Sequence, residues 1–211
     1  MRKIAVAFLL FVSTATFAQT SIRFGLEAGP NMTFPYHGMS DNSPSPKAGF
    51  GFWGGALMEA SLKNPSDNIK LQLEVLYNNL NQKFNETGGY MKWKFQQINM
   101  PLMAKFFVSP DFSINLGPTF NFNVAGKSME RDRIDTTITI NRGDLTSVQV
   151  GATVGLNYYF NNGIFLNARY NPMFGDIATT DASPDFRMHN IQIGIGFRFA
   201  SFSPDVPGSG Y

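Results

Sequence analysis

Residues 188–199 read Met188-His189-Asn190-Ile191-Gln192-Ile193-Gly194-Ile195-Gly196-Phe197-Arg198-Phe199. Two kinds of side chain alternate along this stretch. His189, Ile191, Ile193, Ile195, Phe197 and Phe199 share one parity; Met188, Asn190, Gln192, Gly194, Gly196 and Arg198 share the other. Period two held over this length specifies a strand, because a helix would spread both sets around its circumference.

Seven further segments carry the same alternation upstream, at roughly 21–33, 47–61, 69–84, 90–108, 112–126, 145–160 and 164–176. In the first, Ile22, Phe24, Leu26 and Ala28 oppose Arg23, Gly25, Glu27, Gly29 and Asn31. In the sixth, Val148, Val150, Ala152, Val154, Leu156 and Tyr158 oppose Gln149, Gly151, Thr153, Gly155 and Asn157. The fourth is irregular. Ile98, Met100, Leu102, Ala104 and Phe106 share a face, whereas Trp93 and Phe95 fall on the other parity. A bulge near Gln96-Gln97 would bring them together.

Connections alternate in length. Those after the second, fourth and sixth segments are short: Lys63 to Asn68, Ser109-Pro110-Asp111 and Asn161-Asn162-Gly163. Their Pro, Asp, Asn and Gly residues suit tight turns. Those after the first, fifth and seventh are long, at about 34–46, 127–143 and 177–186, while Asn85 to Gly89 is a short one on the long side. Short turns at one end and long loops at the other are the pattern of an outer-membrane barrel.

Three features separate that reading from a soluble sandwich. The segments average more than twelve residues, where globular strands run about 5–6 and a tilted membrane crossing needs about 9–11. The polar parity is rich in Gly, Asn, Gln, Ser and Thr rather than Lys and Glu, which suits a crowded interior where small residues make room for large ones. Tyr158, Phe160, Phe197, Phe199, Phe106 and Phe112 gather near the short-turn ends, as an aromatic girdle would. The expected fold is therefore all-β: an eight-stranded antiparallel transmembrane up-and-down β-barrel, both termini periplasmic, over residues 19–200. Residues 201–211, rich in Pro, Gly and Ser, read as a flexible tail.

The beginning of the chain agrees. Arg2 and Lys3 precede nine apolar residues, Ile4 to Val12, and Thr16-Phe17-Ala18 offers small residues for cleavage before Gln19. Residues 1–18 read as a cleaved secretory signal peptide, too short to span as a helix. Its loss removes two of the 17 Lys+Arg and leaves 15 against 15 Asp+Glu, so no basic excess points to nucleic acid. The chain has no Cys, which excludes both disulfides and an N-terminal lipid anchor on Cys.

Arg23, Glu27, Glu59, Lys70, Glu74, Lys105, Arg169 and Arg198 all fall on the polar parity. A Lys or Arg facing lipid at mid-membrane costs about 2–4 kcal/mol, so these charges belong inside. The expected groupings are an Arg23–Glu59–Arg198 cluster, and Glu27 and Glu74 with Lys105 or Arg169. An eight-stranded barrel has an interior about filled by side chains, which argues against a wide pore.

Candidate chemistry is sparse. The histidines are His37 and His189, and the latter follows a loop with Asp181, Ser183 and Asp185. A Ser-His-acid lipid hydrolase at the outer rim would use them, but a polar residue at a strand end reads the same way. Asp132 and Asp135 match no calcium-loop spacing. Zinc needs a His/Cys cluster that is missing, and no phosphate-cradling loop is present. Arg142-Gly143-Asp144 resembles an adhesion tripeptide, though Gly-Asp is an ordinary turn. The expectation is no catalytic, cofactor-binding or metal residue, and no enzyme.

Several segments resemble a known family. Ile22-Arg23-Phe24-Gly25-Leu26-Glu27-Ala28-Gly29-Pro30-Asn31, Leu71-Gln72-Leu73-Glu74-Val75-Leu76-Tyr77, Ile98-Asn99-Met100-Pro101-Leu102, Leu116-Gly117-Pro118 and the Ile193–Phe199 strand follow the order and spacing of the PorT-like outer-membrane β-barrel family of Bacteroidota. The resemblance spans nearly all of the mature chain. It implies an integral outer-membrane barrel whose partners are outer-membrane lipid, the barrel insertion machinery and envelope or secretion-system proteins. The founding member's role in protease secretion has no matching residue here to carry it. The expected function is structural, adhesive or secretion-associated, acting through the extracellular loops. The alternatives are a lipid-modifying enzyme, or a narrow channel or small-ligand carrier.

Overall fold

The computed structural model describes residues 21–35, 45–61, 68–86, 89–132, 134–140, 146–175 and 187–202. Residues 1–18, expected to be a signal peptide, His37, the Arg142-Gly143-Asp144 tripeptide, residues 177–186 and the residues beyond Phe202 lie outside them. Ten strands run in chain order: β1 (Ile22–Pro35), β2 (Ser45–Lys47), β3 (Gly49–Ser61), β4 (Ile69–Glu86), β5 (Gly89–Ser109), β6 (Phe112–Asp132), β7 (Ile134–Ile140), β8 (Val148–Tyr159), β9 (Ile164–Pro172) and β10 (Met188–Phe202). Among the described residues no helix is long and apolar enough to cross a membrane.

Eight of these strands form a closed antiparallel ring in the order β1, β3, β4, β5, β6, β8, β9, β10. The last pairing, from Ile22 opposite Phe202 to Pro35 opposite Met188, joins the two ends of the sheet. Closure leaves no edge, so the backbone N–H and C=O groups of the wall bond to one another. Hydrocarbon requires this of any β-structure that crosses it.

Polarity is inverted relative to a soluble protein. Ile193 is 60% exposed, Leu116 53% and Phe199 58%, whereas Glu27, Glu59, Glu74 and Lys105 are each under 5%. A greasy outer surface around a charged interior fits lipid outside and side chains within. Tyr158, Phe160, Phe197, Phe199 and Phe106 all point outward at the short-turn end, and the Tyr158 and Phe160 rings meet edge to face at 5.2 Å. That is the expected girdle.

Expected strand bounds hold to within a few residues, with three corrections. First, the stretch 127–143, read as a long loop, is largely a hairpin. β6 continues to Asp132, and β7 returns beside it from Asp132 opposite Ile134 to Gly126 opposite Ile140. Second, the last strand runs to Phe202, into what was read as the tail. Third, the irregularity at Gln96-Gln97 is real, but its extra residue lies in the facing strand. Gln96 pairs with Ala125 and Gln97 with Asn123, leaving Val124 over, while β5 stays in unbroken register with β4. Phe95 therefore keeps the parity of Gln97 and Asn99 and is buried, 2% exposed. Turning inward, its ring fills the barrel instead of joining the lipid face.

Space for large lumen residues comes from glycines on nearby strands. A Cβ on Gly194 would strike the Trp53 indole, and one on Gly196 the Phe165 ring. Sequence parity had flagged the glycines; Trp53, Leu57, Leu76, Leu80 and Phe165, all buried, were not assigned to the interior.

Candidate functional site: the lumen and its two ends

Two buried charge clusters occupy the lumen. At mid-barrel Arg169 on β9 donates through Nη2 to Glu27 at 2.7 Å and through Nη1 to Glu74. Asn167 also donates to Glu27, at 2.7 Å. The Trp53 ring lies 4.6 Å beneath the guanidinium carbon, a cation–π contact that fixes its plane. Of the two cations considered for Glu27 and Glu74, Arg169 takes the place and Lys105 does not.

Lys105 belongs to the second cluster, nearer the short turns. Its Nζ stands 2.5 Å from Glu59, with Lys70 at 3.4 Å and Arg198 at 3.8 Å from the same carboxylate. Arg23 lies opposite Glu59 in the β1–β3 register, yet among the described residues no carboxylate is within ion-pair distance of it. Of the expected Arg23–Glu59–Arg198 grouping the Glu59–Arg198 pair is present, while Arg23 is replaced by Lys105 and Lys70, which stand closer to the carboxylate. A floor of rings supports them. Phe107 and Tyr159 stack at 5.6 Å, Lys70 sits 4.9 Å over Phe107, and Arg198 sits 3.9 Å over Tyr159.

Above the mid-barrel cluster the lumen is bridged by neutral polar side chains. Thr119 and Thr153 hydroxyls meet at 2.5 Å, Thr153 donates to Asn171 at 2.7 Å, and Asn171 to Gln192 at 3.1 Å. Gln97 donates to Asn123 and Gln149 at 2.8 and 3.0 Å. Asn31 donates to Asn78 at 2.5 Å. These bonds cross between strands, so the interior is a packed network.

His189 sits on the outward parity at the long-loop rim. Its Nδ1 bonds the Tyr170 hydroxyl, and its ring packs against Tyr170 and Phe34, with centroids at 5.4 and 6.0 Å. Only 8% of it is exposed. The loop residues Asp181, Ser183 and Asp185 lie outside the described residues. Asp132 and Asp135 flank the β6–β7 hairpin turn.

The rim itself is uneven. β4 and β5 pair as far as Glu86 opposite Gly89. β6 runs ten residues past its last β8 partner at Phe122, the final seven of them paired with β7, and β2 pairs with β4 at Lys83–Asn85. At about 3.3 Å per residue, the β6–β7 extension is about 23 Å of strand. One side of the barrel therefore carries a raised sheet, β2-β4-β5-β6-β7, above a rim that ends near Met173, Met188 and Phe34 on the other.

A closed, lipid-faced ring with a polar packed interior defines the class: an integral β-barrel membrane protein. The sequence places it further, since residues 17–179 match the family model for the outer membrane protein beta-barrel domain, and the chain belongs to that family. It is a protein of the outer membrane. Solved structures of similar shape include Neisserial surface protein A, 12% identical over 84% of this chain and 97% of that one, with a TM-score of 0.48. The attachment invasion locus protein Ail of Yersinia pestis is 12% identical over 86% and 99%, at 0.45. Outer Membrane Protein W of E. coli is 17% identical over 84% and 97%, at 0.42. The comparison with curated proteins returns no match. The fold assignment rests on the strand pairing itself.

Proposed function

We propose that this barrel is a non-enzymatic presenter: the closed wall anchors it, and the raised sheet at the long-loop end engages another macromolecule outside the cell. Adhesion, envelope structure and service to a secretion machine all use such a surface. The termini then lie on the periplasmic side and the long loops outside, the usual outer-membrane arrangement.

One observation carries this reading. Strands β4 to β7 continue well beyond the length that a bilayer requires, although the lumen they enclose is already filled lower down. Extra paired strand contributes nothing to crossing hydrocarbon. It does produce a paired sheet that stands beyond the barrel wall, and β7 has β6 as its one strand neighbour among the described residues. A free strand edge is a recognised means of taking on a partner's strand.

The test is site-specific photo-crosslinking from Thr137 and Thr139 in intact cells. A discrete cross-linked species that disappears in a hairpin-disrupted variant is expected. Absence of any species at both positions would overturn the reading. So would turnover of phospholipid or lipid A by the purified barrel that is lost in His189→Ala.

A further inference from the structure

Cations outnumber carboxylates among the described residues of the short-turn end. Among the described residues, Arg23, Lys70, Lys105 and Arg198 gather there around two carboxylates, Glu59 inside and Asp111 at the β5–β6 turn. Glu59 is committed to the two lysines, with Nζ distances of 2.5 and 3.4 Å. Arg198 stands off at 3.8 Å, held flat over Tyr159, and Arg23 faces the opening without an ion-pair partner among the described residues. Two guanidinium groups at one mouth, with a single carboxylate among the four cations inside, make a positive field that attracts a counter-anion.

A cavity of about 420 Å³ opens at this point, lined by Arg23, Arg198, Asp111, Tyr159, Asn161 and the outward-facing Phe160 and Phe199, among others. Its size falls within the usual range for ligand clefts, about 300–1,000 Å³. Its walls are of two kinds. The arginines belong to the lumen mouth, while Phe160 and Phe199 belong to the lipid-facing girdle and are 43% and 58% exposed. The cavity thus lies where the barrel mouth meets the membrane interface, at headgroup level.

We propose that this cavity is a phosphate-binding site formed by Arg23 and Arg198. Guanidinium forks present paired donors that match phosphate oxygens, and Arg is suited to this more than Lys. Asp111 on the opposite wall disfavours a bulky polyanion and restricts the ligand to a single phosphate group. That group comes either from a phospholipid headgroup, whose chains would lie along Phe160 and Phe199, or from free phosphate.

The experiment uses the full processed chain in a zwitterionic detergent carrying no phosphate. Inorganic phosphate is titrated by isothermal calorimetry, and phosphatidylglycerol retention is read by native mass spectrometry. Arg23→Gln and Arg198→Gln should each weaken binding tenfold or more. Arg198→Lys should recover part of it, and Lys94→Gln, on a strand segment far from the mouth, should change nothing. Heat-modifiable gel mobility verifies that each variant is a folded barrel. Retention of phospholipid without inorganic phosphate binding identifies the headgroup as source, and the converse identifies the free ion. No binding of either, or binding that both Gln variants retain, would overturn the proposal.

Discussion

Arg169 on β9 and Glu74 on β4 are four places apart in a ring of eight strands, so their ion pair crosses the full width of the lumen. With Glu27 it places two buried carboxylates on one buried guanidinium. Removing one partner of such a group leaves charge buried and unpaired, at a cost of about 3–5 kcal/mol. Arg169→Met should lower the urea midpoint of the lipid-reconstituted barrel accordingly. Trp53, which packs on this guanidinium, supplies the fluorescence signal. Adding Glu27→Gln and Glu74→Gln should restore much of the loss, because the stranded charges disappear with them.

The same cross-barrel pair predicts electrical silence. A diametric ion pair at mid-barrel and the stacked Phe107 and Tyr159 beneath the second cluster stand across the described part of the lumen, in the path a hydrated ion would take. Planar bilayers containing the barrel should show no stable conductance steps in molar KCl. Steps that recur at one amplitude and scale with salt would contradict the packed lumen.

A glycine facing a ring is a matched pair. Gly196 lies directly across from Phe165 in the β9–β10 register, and a Cβ there would enter the ring. Gly196→Val should destabilise the barrel by about 1–3 kcal/mol through overpacking. Phe165→Leu should be less than additive with it, since the smaller side chain vacates the contested space. A double-mutant cycle in urea measures the coupling.

Outward residues obey the opposite rule. Leu116→Arg and Ile193→Arg should each cost about 2–4 kcal/mol near the membrane midplane. Spin labels at these two positions should be relaxed by lipid-dissolved oxygen and not by a water-soluble nickel reagent.

What the sequence could and could not show follows from the kind of signal each feature leaves. Strand parity is a local property, so Ile193 and Gln192 declare opposite faces without knowledge of their neighbours. Ion partners are not local. Glu59 on β3 meets Lys105 on β5 through the register in which β4 pairs with each of them, and those offsets are not written in the strands. The inward placement of Trp53 and Phe165 is hidden in the sequence for another reason. Both share the parity of the polar residues, but their chemistry suggests a lipid face, and only the opposing Gly194 and Gly196 show that there is room for them inside. The β7 strand was legible in principle: Ile134, Thr136, Ile138 and Ile140 alternate with Asp135, Thr137 and Thr139. Its shortness and its lack of an aromatic allowed it to pass for loop.

Because β7 pairs with β6 beyond the last β6–β8 pairs, it can be disrupted without opening the barrel. Thr137→Pro removes a backbone N–H and fixes φ in the middle of the Met129–Thr137 pairing region, which a paired strand tolerates poorly. Amide exchange should then accelerate over 126–132 while Phe112–Phe122 stays protected, and the thermal midpoint of the barrel should move by less than about 1 kcal/mol equivalent, as for changes outside a packed core. If protection fell equally along the whole of β6, the raised sheet and the membrane wall would be one cooperative unit. The platform could not then be altered independently of the anchor, and a partner seated on it would act on the stability of the entire barrel.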